Sequence, residues 1–317
     1  MFAFLAIVWW LDRYHREPVW LLALTFLWGA VGGVFGAVVG SVVLDAGARL
    51  LVLPVASMLG SDADALHAVL GTVAIAPLVE EPSKALFLLY VVWNRHFDNM
   101  TDGFVYGAAA GLGFGMTENL VYFVSVSDDA LLWGSTVVVR TFYSAVMHAT
   151  ASAIVGAALG FARFRGCLAI LVCGGLGLGL AMAVHALWNG LLMMGQIQGS
   201  TAPYVADMVL FPLEVAGVLI VSQICLADES CTIRRELGAE AARGTLPAEH
   251  PPILASAFRR LWRGWVPRGV DHGKYVRAAT SLAMRRQQVR QMGDRAPAFY
   301  RHEVVKLRRE VIALLRG

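Results

Sequence analysis

Apolar runs separated by short polar breaks fill the first 226 residues of this 317-residue chain. They occupy 19–44, 67–93, 102–124, 131–162, 167–194 and 203–226, each long enough to cross about 30 Å of hydrocarbon, which takes about 20 helical residues. The pattern predicts six membrane-spanning helices. Residues 1–11, MFAFLAIVWWL, add a seventh, short helix of about 16 Å at about 1.5 Å per residue, without the basic leader or cleavage site of a secretory signal. Beyond 226 the pattern changes. Val304, Leu307, Val311 and Leu314 share one face of a predicted helix over about 297–315 that needs a partner surface. SAFRRLWRGW at 256–265 puts Phe258, Leu261, Trp262 and Trp265 at helical spacing with Arg259, Arg260 and Arg263 on other faces. That predicts an amphipathic helix, either lying in an anionic membrane interface or packed on the tail.

Composition sharpens this picture. The chain is 57% hydrophobic and 15% charged with a mean hydropathy of +0.61, against about 25% charged in soluble proteins. The fold class is therefore all-α, a polytopic transmembrane helix bundle. Cys167, Cys173, Cys225 and Cys231 show no zinc-knuckle spacing, which excludes a disulfide scaffold and structural zinc on cysteines. The net charge of +3 hides two unlike parts: residues 1–226 hold eight Lys or Arg against fourteen Asp or Glu, and residues 227–317 hold eighteen against nine. The reading is a membrane core over 1–226 and a basic tail over 227–317 that faces anionic lipid headgroups. No nucleic-acid motif accompanies the charge, so no nucleic acid is expected. Arg13, Arg16, Arg95, Arg163 and Arg165 fall in alternate loops and only Arg49 in the others, which places the N-terminus outside and the tail in the cytoplasm. Asp62, Asp64, Asp128 and Asp129 then lie outside.

Glycines recur every four residues at Gly103, Gly107, Gly111 and Gly115, and at Gly32, Gly36 and Gly40, predicting close helix approaches. GLGFG at 111–115 is not read as a phosphate loop, because no strand precedes it.

Ionisable residues inside membrane spans are costly and usually functional. VEEPSK puts Glu80 and Glu81 mid-span with Lys84 one turn on, so paired carboxylates beside an ammonium can supply a base and an acid. Pro82 removes a backbone donor and is expected to kink its helix. The run 131–162 holds Arg140 and His148; the run 167–194 holds His185 and Asn189 one turn apart, a donor pair for a developing oxyanion. TENLVY places Glu118, Asn119 and Tyr122 in the run 102–124. Asp207 reads as interfacial, and Glu214 as a counterion for Arg140 or part of the cavity. Carboxylate and imidazoles on separate helices meet the needs of water-mediated acyl hydrolysis. Glu80, His148 and His185 could equally ligate zinc; HExxH and GxSxG are absent, and the spacing leaves metal use open.

These segments resemble the PrsW family of intramembrane proteases, itself similar to the type II CAAX prenyl endoproteases. LDRYHREPVW at 11–20, EEPSK at 80–84, GFVYGAAAGLGFGMTENLVYF at 103–123, RTFYSAVMH at 140–148 and HALWN at 185–189 occur in the family's order, and the tail after about 227 lies outside the resemblance. It implies a helix bundle around a hydrophilic cavity in a bacterial cytoplasmic membrane. By similarity Glu80 is the general base, His148 orients the water, His185 and Asn189 hold the oxyanion, Glu81 and Lys84 tune the site, and Glu118 positions structure or substrate. No cofactor is then required, and zinc stays an alternative. Family members are associated with cutting membrane-spanning anti-sigma factors on the outer side. The chain departs from the CAAX enzymes at Lys84, where arginine stands one place later, and from full-length family members in its short first helix. Two other classes compete: a proton-coupled transporter, disfavoured because the two halves show no repeat, and a non-catalytic membrane scaffold.

Overall fold

The computed structural model describes residues 1–12, 14, 17–94 and 96–316; the side chains of Leu59, Tyr204 and Asp207 are outside that description. Arg13, Arg16 and Arg95, which carry most of the predicted orientation, and the side chain of Asp207 therefore lie outside the described residues. Helices and turns make up the described chain, with no strand among its described residues.

In chain order, α1 (Phe2–Leu11) precedes α2 (Val19–Leu27) and α3 (Val34–Leu59), which are joined by a π-helical turn at Trp28–Gly33. A second such turn at Gly71–Ile75 joins α4 (Ala63–Leu70) to α5 (Ala76–Val91). After α6 (Met100–Ser125), a third at Arg140–Ser144 joins α7 (Ala130–Val139) to α8 (Ala145–Ala162). The bundle closes with α9 (Cys167–Gln198) and α10 (Ala202–Ala241). Beyond it lie α11 (His250–Leu254), α12 (His272–Met292) and α13 (Ala298–Arg316).

Among the described residues, five rods are long and apolar enough to cross a membrane: Val19–Met58, Ala63–Val91, Ala130–Arg165, Cys167–Gln198 and Met208–Ala241. The sequence pattern predicts a sixth over 102–124, and α6 occupies it. Its glycines and alanines lower its hydropathy because it meets other helices rather than lipid; every residue from Thr101 to Gly115 is buried.

Three boundaries differ from expectation. The run predicted to end at 44 continues as helix to Leu59, stopped by Gly60 at φ 63°. Asp45, which reads as a break, is held within the rod by His67 (Nε2–Oδ1 2.9 Å) and Arg49 (3.8 Å). The run predicted to end at 226 continues to Ala241, because its polar extension carries a second apolar face built on Ile233 and Leu237. The amphipathic helix predicted over 256–265 is instead a turn with one 3-10 element at Arg259–Leu261. Trp265 leaves the expected stripe to pack against His250 and Tyr275, and Arg260 turns inward over the Tyr14 ring at 4.3 Å. Two inward anchors on different sides pull the segment out of helical register.

Glycine governs the membrane core. A Cβ on Gly103, Gly107 or Gly111 would overlap the backbone of Gly156, Ser152 or His148, all on α8, while Gly29 and Gly113 bring α2 and α6 together on the other side. The 103–115 stripe is thus a bed for α8. Of the other stripe, Gly36 and Gly40 receive Ser83 and Val79 of α5, whereas Gly32 faces its own Trp28.

The tail has its own apolar core, where Ile233 and Leu237 of α10 meet Leu254, Tyr275, Leu282 and Val311. The predicted 297–315 helix finds its partner surface there, with Val304, Leu307 and Leu314 packed against it. Buried Glu240 accepts a two-point contact from Arg308 (2.6 and 2.8 Å) and further bonds from Arg286 and Thr245, raising the Arg308 guanidinium above its ordinary value. Asp98 ties the tail to the bundle through Arg285 and Gln288, each at 3.0 Å. Arg163 donates to the Asn94 carbonyl (2.7 Å) and Tyr14 to that of Ala255 (2.7 Å), so the loops at 12–18, 92–99 and 163–166 gather at the tail's end of the bundle.

Gly107→Val is expected to cost about 1–3 kcal/mol through overpacking, read as a lower midpoint of thermal unfolding in detergent. Gly175→Ala, where no atom lies within 4 Å of the added Cβ, should leave that midpoint unchanged or higher; equal losses in both variants would refute the close-approach argument.

Candidate active site

Four helices bring the predicted residues together. The α5 helix continues through Pro82 to Val91, and its Glu80, Glu81 and Lys84 project towards α8 and α9. The Lys84 ammonium is fully buried and reaches Glu81 Oε1 at 2.7 Å, His148 Nδ1 at 2.9 Å and Glu80 Oε2 at 3.8 Å. It also stands 4.1 Å from the centre of the Phe114 ring on α6. His185 Nδ1 lies 2.8 Å from the same Glu81 oxygen, and its Nε2 lies 3.8 Å from Glu80 Oε2. His148 Nε2 meets Glu118 Oε2 at 2.6 Å.

Proton positions follow from these partners. An ammonium only donates, so His148 Nδ1 accepts from Lys84 and the ring proton sits on Nε2, directed at Glu118. An ionised Glu81 only accepts, so His185 carries a proton on Nδ1, and in the neutral ring Nε2 is then a lone pair. That lone pair faces Glu80 Oε2, a buried oxygen with no hydrogen-bond partner. With Glu80 ionised and His185 neutral, these are two acceptors 3.8 Å apart, which a donor or a Lewis acid between them would satisfy. The two imidazoles stand edge to face, 5.0 Å between centres.

A second layer holds Glu118. Arg140 Nη2 reaches its Oε2 at 2.9 Å, Arg140 Nε donates to Asn119 Oδ1 at 3.1 Å, and the guanidinium lies 3.6 Å over the Tyr122 ring. The acid paired with Arg140 is thus Glu118. Glu214 lines a separate apolar cavity of about 310 Å³ between α9 and α10, and takes no place in the cavity of Glu80.

The π-helical turns explain how polar residues fit here. A wide turn frees carbonyls that hydrocarbon cannot satisfy, and each turn has one taken by a neighbouring helix: Ala30 O by Thr117 (2.7 Å), Thr72 O by Asn189 (2.8 Å) and Arg140 O by Asn119 (2.8 Å). Asn189, expected to grip an oxyanion, thus spends one amide N–H on Thr72 and keeps the other. The sequence reading missed Thr72, Thr117 and Phe114. Only Gly71, beside Thr72, offered a signal.

Glu80, Glu118, Tyr122, Arg140, His148, His185 and Asn189 line one cavity of about 480 Å³; Glu81 and Lys84 support it from behind, through His185 and His148. Its walls come from the helix halves next to the turns at 60–62, 126–129 and 199–201, the end away from the tail. Glu80, His148 and His185 offer ligand atoms within 4.8 Å of one another, the one group of three His, Cys, Asp or Glu among the described residues that could hold a metal ion. The donor chemistry fits a zinc-type ion: Glu80 Oε2 is orphaned, and His185 presents Nε2 with Nδ1 held by a carboxylate, the usual support of a ligating histidine. His148 would join by exchanging Lys84 or Glu118 for the ion.

The sequence signature of the PrsW family of intramembrane metalloproteases matches residues 17–218, and the chain belongs to that family. It is 36% identical over 87 residues to Protease PrsW of Bacillus subtilis (strain 168), which is 27% of this chain and 37% of that one. It is 30% identical over 122 residues to Protease PrsW of Clostridioides difficile (strain 630), covering 38% and 46%. The chain thus spans less than half the length of these curated relatives. No solved structure matches it.

Removing Lys84 leaves Glu81 buried beside a neutral imidazole alone. Lys84→Met is expected to cost about 3–5 kcal/mol, and Lys84→Met/Glu81→Gln substantially less, because the uncompensated charge goes too; thermal unfolding in detergent decides. Asn119→Leu strands the Arg140 carbonyl and should cost about 1–3 kcal/mol. A midpoint unmoved by that change would remove the proposed role of the π-turn keys.

Proposed function

We propose that this chain is an intramembrane endopeptidase that hydrolyses peptide bonds of membrane-spanning protein substrates, single-span proteins of the anti-sigma kind among them. The reading rests on one observation above the others: Glu80 Oε2 and His185 Nε2 are two buried acceptors 3.8 Å apart on the wall of a polar cavity. A water donating to both would present its lone pair to a substrate carbonyl. Glu80 takes the proton as general base, and the carboxylate of Glu81 keeps the His185 tautomer that makes the grip possible.

The roles of the two histidines then exchange relative to the family resemblance. His185, with its proton turned to Glu81, grips the water, and His148 directs its Nε2–H to Glu118 on the cavity wall. Released from Glu118, that N–H and the remaining Asn189 N–H are the donors for the tetrahedral oxyanion. Lys84 keeps the His148 proton on Nε2, and Arg140 with Tyr122 draws Glu118 aside. A zinc-type ion held by Glu80, His185 and His148 would supply a bound water of pKa about 7 and polarise the carbonyl. The cavity opens at the end away from the tail, so with the tail in the cytoplasm of a bacterial-type inner membrane the cut falls near the outer face.

Reconstituted protein with a single-span substrate tests this. Glu80→Gln and His185→Ala are each expected to lower cleavage by about 10²–10⁴-fold, and His148→Ala by about 10²–10³-fold. A chelator should abolish wild-type cleavage, with zinc restoring it, if the ion is used, and should leave it unchanged if Glu80 and His185 act alone. Wild-type rates in Glu80→Gln would sink the proposal.

A further inference from the structure

We propose that the turn over 256–268 docks on the protein's own bilayer, setting Phe258, Leu261 and Trp262 into the interface and Arg234, Arg259, Arg263 and Arg268 on anionic lipid headgroups. The inference is independent of the peptidase reading. It starts from exposure: Phe258, Leu261 and Trp262 are 68, 70 and 76% exposed on one short turn, a cost that a water-facing surface does not repay.

Charge gives the second observation. Residues 250–270 contain four arginines and no Asp or Glu. Arg259, Arg263 and Arg268 are exposed, and so is Arg234 on α10; no ion pair to a described carboxylate is found for any of these four, whereas Arg235, Arg285, Arg286, Arg290 and Arg308 are all paired. Unpaired guanidiniums beside exposed aromatic and aliphatic side chains are the chemistry of an anionic membrane surface.

Position gives the third. The turn is pinned where the chain enters the bundle: Tyr14 and Ser230 both donate to the Ala255 carbonyl at 2.7 Å, and buried Arg260 lies over Tyr14. Between the turn, Tyr14 and α10 lies a cavity of about 440 Å³ whose walls include Gln223, Leu226, Ser230, Arg234 and Phe258. Leu226 closes the apolar run 203–226, so this cavity sits at headgroup depth. Trp10, Trp20 and Trp93, at the tail-side ends of α1, α2 and α5, are 54, 58 and 63% exposed. Such a girdle marks a membrane interface, and Trp262 continues it. A soluble partner would explain the apolar side chains but not their place on that girdle.

Hydrogen exchange on the full-length protein in nanodiscs tests the inference. In discs of phosphatidylcholine with phosphatidylglycerol, amide exchange over 256–266 should be several-fold slower than in phosphatidylcholine alone. Arg259→Gln/Arg263→Gln/Arg268→Gln should erase the difference between the two lipids, and Phe258→Ser/Leu261→Ser/Trp262→Ser should speed exchange in both. Unchanged protection over 275–284 in each variant shows that the tail core is intact. Equal exchange of the wild type in both lipids, or protection gained only when a cytosolic extract is added, overturns the proposal.

Discussion

The buried Lys84 ammonium is the interaction on which the site depends. An ion taken out of water into a helix bundle costs several kcal/mol unless its donors are matched, and Lys84 spends them on Glu81 and His148 while the Phe114 face offsets part of the remaining charge. This joins α5, α6 and α8 at one point. It also fixes chemistry, because an ammonium leaves each neighbour one role. Glu81 becomes the anion that orients His185, and His148 becomes a donor at Nε2. The unpaired Glu80 oxygen follows, since Lys84 stands too far from it, at 3.8 Å, for a hydrogen bond.

Glycines and π-turns deliver those side chains to that point. His148 enters the core because Gly111 and Gly115 admit its backbone and ring; a Cβ at Gly111 would overlap the His148 carbonyl and lift α8, and one at Gly115 would crowd the imidazole at 3.2 Å. The wide turns before Glu80 and before His148 then shift helical phase, and the amides of Asn189 and Asn119 satisfy the carbonyls so exposed. Packing and polarity are therefore coupled: Asn189, which reads as an oxyanion donor in the sequence, also acts with Asn119 as a clasp that makes a polar cavity tolerable in hydrocarbon.

Much of this was legible in the sequence because hydropathy and four-residue glycine spacing are local properties. The helix-bundle class and a close helix approach along Gly103, Gly107 and Gly111 follow from such patterns, whereas Glu80, His148 and His185 were marked by their charge inside apolar runs and by the family resemblance. Pairings across helices do not. That Arg140 holds Glu118 rather than Glu214 depends on helix order around the bundle, which spacing along one helix does not encode. The different partners of the two histidines were illegible for the same reason, since they turn on which nitrogen Lys84 and Glu81 each reach. The ends of α3 and α10 were misread because Asp45 and the polar residues after 226 resemble breaks until their partners are known. Helical spacing at 256–265 misled because Arg260 and Trp265 find buried partners on different sides.

The two ends of the bundle carry opposite kinds of polarity, and this bears on how such a site can work in a membrane. At the tail end, carboxylates and arginines meet in dense pairs, as at Asp98 with Arg285 and Glu240 with Arg308, which rigidifies that half. At the other end the walls of the cavity carry polar groups whose valences are incompletely used: Glu80 Oε2, the His185 lone pair and one N–H of Asn189. The proposed hydrolysis would draw on such unspent groups. Arginine pairs such as Asp98 with Arg285 and Glu240 with Arg308 brace one end of the bundle, while Glu80, His185 and Asn189 stand on the wall of the cavity at the other.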